Sequence, residues 1–334
     1  MANTVFRDYY RQHPSFIRLE KLLGGDSMEP LIINGLSGSS KAVVMAGVLS
    51  QQPTTHVVIL PEKEDAAYFY NDLTSLIGEE TIFFFPGTYK RSVMYDQTEP
   101  ANIILRTEVL NFLGSGKRKC IIVTYPESIM EKVVSKSNLK KNTFEISKGS
   151  HLSIDFLEEV LREYNFRRTD FVYEPGQYSV RGSITDLFSY SADKPYRIDF
   201  FGEEVDSIRS FSPDDQLSLQ LHDEIQVIPD IQELASHERT DNFIDFIPPS
   251  SIIWSENFDY IIEKTDNIWS QARSRSSKGE ITDRRDVIIT GRHLDELCSQ
   301  HRQVFFGRGR EESSAMAVTF HTEPQPSFNK NLIF

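Results

Sequence analysis

Short apolar runs bounded by turn residues recur through the first third of the chain: "PLIING" (30–35), "THVVILP" (55–61), "TIFFFP" (81–86) and "KCIIVTYP" (119–126). Runs of this kind mark strands buried on both faces. Between them the spacing turns helical. From Glu62 to Ile77, residues Ala66, Phe69, Leu73 and Leu76 share one face and Gly78 is the stop; a second helix runs from about Ala101 to Leu113, stopped by Gly114. Strand–helix alternation predicts a parallel sheet with helices on both sides. Residues 1–22 read as a separate N-terminal helix.

After residue 135 the pattern changes. "KSNLKKNTFEISKGS" (136–150) is polar and reads as a boundary. In the helix that follows, "SIDFLEEVLREY" (153–164), Phe156, Leu157, Val160, Leu161 and Tyr164 are spaced for one face. Closely spaced strands come next, in 168–190 and 195–212, with Glu174-Pro175-Gly176 and Phe201-Gly202-Glu203-Glu204 as hairpin turns. From about 225 the alternation resumes: strand 250–256, helix 259–271, a polar loop expected to be mobile at 273–286, helix 293–301, then strands 303–307 and 317–321. The pattern predicts an α/β parallel-sheet domain split by an inserted α+β module. The expected division is 1–126, 127–225 for the insert, and 226–334.

The first strand leads into "NGLSGSSKAVV" (34–44). A phosphate-binding loop (Walker A) reads G-x-x-x-x-G-K-[ST]. Here Gly35 opens the loop, Gly38 lies within it and Lys41 is in place, but Ser40 stands where the second glycine belongs and Ala42 replaces the hydroxyl that ligates Mg²⁺. This is a degenerate loop on a RecA- or helicase-like fold, and no catalytic residue is expected. In the plainer reading it is a strand–turn–helix connection with Lys41 solvated. The acidic runs "HDEI" (222–225) and "LDEL" (294–297) do not restore the site: the first lies near a domain boundary, the second on an amphipathic helix.

With 36 basic against 49 acidic residues the net charge is −13. A chain this acidic is a poor general binder of nucleic acid. No apolar run approaches the roughly 20 residues of a membrane helix. Cys120 and Cys298 form no CxxC, and the eight histidines show no metal spacing. The expectations are a cytoplasmic protein, no metal, and a protein or small-molecule partner.

The stretch "EPGQYSVRGSITDLFSYSADKPYRIDFFGEEVDSIRSFSPDDQ" (174–216) closely resembles the second domain shared by UvrB and the bacterial transcription-repair coupling factors (Mfd). "FFFPGTYKRSVMYDQTEPANIILRTEVLNFL" (83–113) resembles the coupling factors too. The altered phosphate loop, the dozen residues between Tyr89 and Asn102 (too few for the long DNA-gripping hairpin of UvrB) and the departure from helicase-like sequence after 230 favour the coupling-factor family.

The resemblance implies an N-terminal UvrB-homology module that recruits UvrA to stalled RNA polymerase in nucleotide excision repair. It implies that the motor needing ATP and Mg²⁺, and the contacts with RNA polymerase and double-stranded DNA, lie elsewhere in such a protein. A C-terminal domain would mask the UvrA-binding face intramolecularly. Carried over residue by residue, that face centres on Arg181, Arg197 and Phe201, with Glu174, Tyr178 and Asp186 shaping it. The alternative for these residues is ion pairing of the arginines with Asp186, Asp199 and Glu203, and a core role for Phe201. The alternative for the whole chain is a UvrB-type ATPase that binds damaged DNA.

Overall fold

The computed structural model of the chain describes residues 12–25, 27–88, 100–237, 240–277, 288–307 and 316–323. Its elements begin with α1 (Pro14–Leu23), β1 (Leu31–Asn34), α2 (Ser40–Gln51), β2 (Thr55–Ile59), α3 (Lys63–Ile77) and β3 (Ile82–Phe84). There follow α4 (Pro100–Gly114), β4 (Cys120–Thr124), the single turn α5 (Pro126–Ile129), β5 (Val133–Val134), α6 (Lys136–Lys141), β6 (Phe144–Ser147) and α7 (Ile154–Glu163). A run of strands comes next: β7 (Arg167–Arg168), β8 (Gln177–Arg181), β9 (Ile184–Leu187), β10 (Tyr196–Phe201), β11 (Glu204–Phe211), β12 (Ser218–His222) and β13 (Glu224–Val227). The chain continues through α8 (Ile231–His237), β14 (Thr240–Asp241), α9 (Phe243–Phe246), β15 (Ile252–Glu256), α10 (Phe258–Ser277), α11 (Gly291–Cys298), β16 (Arg302–Phe306) and β17 (Met316–Thr319).

Two compact units result: Met1–Phe85 with Arg118–Met130 and Ile247–Phe334, and Pro86–Lys117 with Glu131–Phe246. The first holds a seven-stranded sheet in the order β17-β1-β16-β15-β2-β4-β3, with every pairing parallel. β2, β4 and β16 are buried along their whole length, including the polar Thr55, His56, Arg302 and Gln303 at their starts. The sheet is α/β, as the alternation predicts. Trp254 sits at its centre, fully buried, with its indole N–H donating to His56 Nδ1 at 3.1 Å.

The second unit carries a six-stranded sheet in the order β12-β11-β10-β9-β8-β7. The pairings are antiparallel except for β7–β8. Its inner face closes over a core of Leu157, Leu161, Tyr178, Leu187, Ile198 and Ile208. Ser153 caps α7 by accepting the Phe156 N–H at 3.2 Å. Leu157, Val160 and Leu161 of that helix are buried, as the spacing predicts, while Phe156 is exposed.

Four details differ from the sequence reading. The expected cuts at 126 and 225 both shift: α4 packs on α6 and α8 and groups with the second unit, which also runs on past 225 to Phe246. Arg106 on α4 lies 3.1 Å from Glu131 and donates to the Pro86 carbonyl at 2.8 Å, a buried pair that holds it there. The polar stretch 136–150 is structured: Ser135 caps α6, and β6 pairs with β13. Glu174-Pro175-Gly176 is not a hairpin turn, because β7 and β8 run parallel; Phe201–Glu204 is one. Helix α10 continues to Ser277, with Ala272 buried and Arg273 over the Trp269 ring at 5.6 Å. The rest of the expected 273–286 loop, residues 1–11 of the N-terminal helix and the 89–99 stretch lie outside the described residues.

Candidate functional site

Alternation along the strands of the six-stranded sheet sorts its residues between two faces. One cross-strand row reads Ser179, Asp186, Arg197, Arg209, Leu221; the next reads Arg181, Ile184, Asp199, Ser207. Both rows lie on the face opposite the core. Phe201, two residues beyond Asp199, extends the same face to the β10–β11 turn. The Phe200 N–H donates to the Ser183 carbonyl, so the β8–β9 and β10–β11 turns lie at the same end of the sheet.

Asp186 organises this face. Its carboxylate is fully buried and accepts from two arginines on different strands. Arg197 binds it side-on and bidentate, Nε to Oδ1 at 2.7 Å and Nη2 to Oδ2 at 2.9 Å, the fork geometry guanidinium favours. Arg181 Nη2 donates to Oδ2 from the other side and Nη1 to the Asp170 carbonyl at 3.3 Å. Each guanidinium also lies over a ring, Arg197 at 4.6 Å from Phe211 and Arg181 at 5.2 Å from Phe171. The hydrogen bond to Asp186 holds the Arg197 guanidinium above its usual pKa. Arg209 donates to Asp199. Three arginines thus share this face with Asp186, Asp199 and Glu204, the last paired across the strands with Phe201. Next to it the 168–171 loop and β8 enclose a shallow recess of about 400 Å³ that includes Arg168, Phe171, Ser179 and Arg181.

The structure brings Arg181, Arg197 and Phe201 onto one face, and both readings of the arginines hold in part. They do form ion pairs, but with a buried carboxylate rather than at an open surface. Arg181 keeps 40% of its side chain exposed and Arg197 only 18%. Phe201 is 81% exposed, so it does not fill the core of the module. Glu203 pairs with His151 at 3.3 Å and not with an arginine. Tyr178 is buried on the inner face and is no part of this surface. Glu174 lies in the turn before β8, where its carboxylate accepts from Gln177 at 3.2 Å. The residues that spacing alone missed are Phe171, which stacks on Arg181, and Arg209. Arg209 was legible in principle, two residues from Ser207 on an alternating strand.

The 34–44 loop in the first unit is tied to other parts of the chain. Lys41 is not solvated: its Nζ donates to Glu256 Oε2 at 2.7 Å. Glu256 ends β15, so a strand-end acid does face the loop; the sequence reading overlooked it because "WSE" matches no acidic motif. Thr322 Oγ1 accepts the Ser37 N–H at 2.9 Å and donates to the Gly35 carbonyl at 2.8 Å. Gly35 adopts φ 75° where a Cβ would meet the Phe320 carbonyl oxygen at 1.8 Å. Ser40 donates its hydroxyl to the Ser37 carbonyl, and Ala42 is buried without any polar atom. Gly38 also has positive φ. Among the described residues no group of three or more His, Cys, Asp or Glu could hold a metal ion, and no helix is long and apolar enough to cross a membrane.

Residues 144–232, which include the whole arginine face, match the family profile of the UvrB interaction domain. The transcription-repair-coupling factor of Bacillus subtilis (strain 168) is 29% identical over 205 residues, 61% of this chain and 17% of that protein. That of Escherichia coli (strain K12) is 28% identical over 203 residues, 60% of this chain and again 17% of the relative. The UvrABC system protein B of Thermotoga neapolitana is 23% identical over 242 residues, 69% of this chain and 36% of that protein. The chain spans under a fifth of the length of the coupling factors it matches. It therefore carries, over residues 144–232, a segment matching the UvrB interaction domain, within a module similar to part of the transcription-repair-coupling factors.

Proposed function

We propose that this chain is a non-catalytic recruitment module that binds UvrA through the outer face of its six-stranded sheet. In a full-length coupling factor it would bring UvrA to a stalled RNA polymerase for nucleotide excision repair. The double-stranded DNA contacts and the ATP-driven motor would belong to the rest of that protein, and a later domain would mask this face until the motor engages. The observation that carries the reading is the arginine face within the matched segment: Asp186 presets Arg181 and Arg197, and Phe201 projects beside them. Arginine and aromatic side chains dominate interface energies because each buries area and offers directed contacts. Here the rotamer entropy of the arginines is already lost before the partner arrives.

Against the UvrB-type ATPase stands the phosphate loop. Its lysine is held by Glu256, a loop amide is held by Thr322, and position 42 offers no metal ligand. ATP therefore has no role in the proposed activity of this module.

The test is calorimetric titration of purified UvrA into the wild type, Arg181→Glu and Phe201→Ala, with Mg²⁺-ATP titrated separately. Phe201→Ala lies at an exposed position and leaves the fold intact, whereas Arg181→Glu takes a partner from the buried Asp186, so its unfolding is measured alongside. Each is expected to weaken binding by about 2 kcal/mol or more, roughly thirtyfold, with no heat from ATP. Wild-type affinity in both variants, or tight Mg²⁺-ATP binding, would overturn the reading.

A further inference from the structure

β12 lies at the edge of the six-stranded sheet and pairs with β11 alone. An edge strand turns alternate N–H and C=O groups away from its sheet, a template for another chain, and proteins usually guard such edges with charges or proline. β12 carries no acidic residue, lysine, arginine or proline, reading Ser218-Leu219-Gln220-Leu221-His222, and the register shift against β11 is the one irregularity in its pairing. Leu219 and Leu221 are 57% and 74% exposed, and Leu217 just before the strand is 64% exposed. Leu217, Leu219 and Leu221 form an exposed apolar row along this edge; because the register against β11 shifts between Arg209 and Phe211, Leu221 stands with the arginine face and the three do not share one face. The strand is nevertheless held firmly in place. His222 packs edge-on against Tyr196 at 5.3 Å, and its Nε2 lies 3.1 Å from the Ser210 hydroxyl.

Acidic residues bound the row on both sides, Asp214 and Asp215 before it and Asp223 and Glu224 after it. In an antiparallel pair with a second copy, each acidic flank would face the other copy's acidic flank. Like charges so placed are repulsive. The charges instead complement an extended apolar segment with lysine or arginine at its ends. The row is also continuous with the arginine face, since Leu221 pairs directly with Arg209, and Arg209 with Arg197.

We propose that β12 is a strand-addition site. The protein that docks on the arginine face lays an extended apolar segment with basic flanks along it, main chain to main chain, with its side chains against Leu217, Leu219 and Leu221. The proposal rests on the reading of that face as the UvrA-binding surface.

The experiment uses purified UvrA and three forms of this chain: wild type, Leu219→Ser/Leu221→Ser, and Phe201→Ala. Because the leucines are exposed, the double variant should melt like the wild type. UvrA affinity is expected to fall at least tenfold in the leucine variant. Hydrogen–deuterium exchange across residues 217–222 of the wild type is expected to slow at least tenfold on adding UvrA. Wild-type affinity in the leucine variant together with loss in Phe201→Ala would overturn the strand proposal while leaving the recruitment reading intact. So would unchanged exchange at 217–222 in a formed complex. Failure of the wild type to bind UvrA would overturn both. A concentration-dependent dimer of the wild type, lost in the leucine variant, would assign the strand to a second copy instead.

Discussion

With its carboxylate wholly inside the protein, Asp186 is compensated only by the two arginines that reach it. Removing one member of a buried ionic group leaves the others desolvated and unpaired, which costs about 3 kcal/mol or more. Asp186→Ala is therefore expected to lower unfolding stability by about that amount and to weaken UvrA binding as well, because Arg181 and Arg197 lose their common anchor. Chemical denaturation and calorimetry on the same sample check both effects. Loss of binding at unchanged stability would show that Asp186 touches the partner directly.

His56 is a second buried titratable group. It accepts the Trp254 N–H at Nδ1, so its proton sits on Nε2, 3.1 Å from the Gln52 carbonyl. Burial pushes its pKa down from 6.5 to about 4. The unfolded chain then binds this proton between pH 6.5 and about 4 while the folded chain does not, so the contribution of His56 to stability falls as pH falls through that window and levels off below it. The loss amounts to about 3 kcal/mol at 1.36 kcal/mol per pH unit. In an NMR titration the His56 ring signals are expected to stay constant down to about pH 5; titration near 6.5 would contradict the burial argument.

At the scale of elements, what could be read from the sequence followed the strength of the periodic signal. The strands of the parallel sheet announced themselves because both their faces are buried, which leaves an unbroken apolar run. α6 and β6 did not: Leu139 and Ile146 are buried and Phe144 half-buried in an otherwise polar stretch, and the pairing of β6 with β13 is a contact across some 80 residues. The arginine face came from resemblance, and its geometry could not have been derived otherwise. Whether Arg181 and Arg197 converge on one acid depends on the register of three strands, which a one-residue slip would reverse. The phosphate loop gives the opposite case. Its altered residues were plain in the sequence, but Glu256 and Thr322 lie some 200 to 290 positions away and meet the loop only through the sheet order. Gly35 is the tightest point of that junction. Gly35→Ala should cost more than the roughly 1–2 kcal/mol of a left-handed alanine, because the Phe320 backbone must also retreat. Thermal unfolding measures this, and a variant as stable as the wild type would mean that β17 does not close the loop.

For the whole molecule the decisive quantities are the net charge of −13 and an arginine face whose guanidiniums are already paired with acids. A duplex carries a negative charge about every 1.7 Å, and binding to it scales with the number of phosphates a protein can neutralise. On the arginine face Asp186 and Asp199 already absorb most of the positive charge, so few phosphates could be matched there. A carboxylate-bearing protein surface is different. It needs only one or two directed contacts with the arginines and can add apolar burial on Phe201, where DNA would offer a charged backbone. The chain is therefore expected to show no saturable binding to a fluorescently labelled duplex, damaged or intact, up to about 10 μM protein at about 0.15 M salt, weaker than ordinary non-specific DNA binders. UvrA binding should in turn weaken only modestly with added salt, since part of its interface is apolar. Tight duplex binding that falls steeply with salt would relocate the function of this chain to DNA and revive the damage-binding alternative.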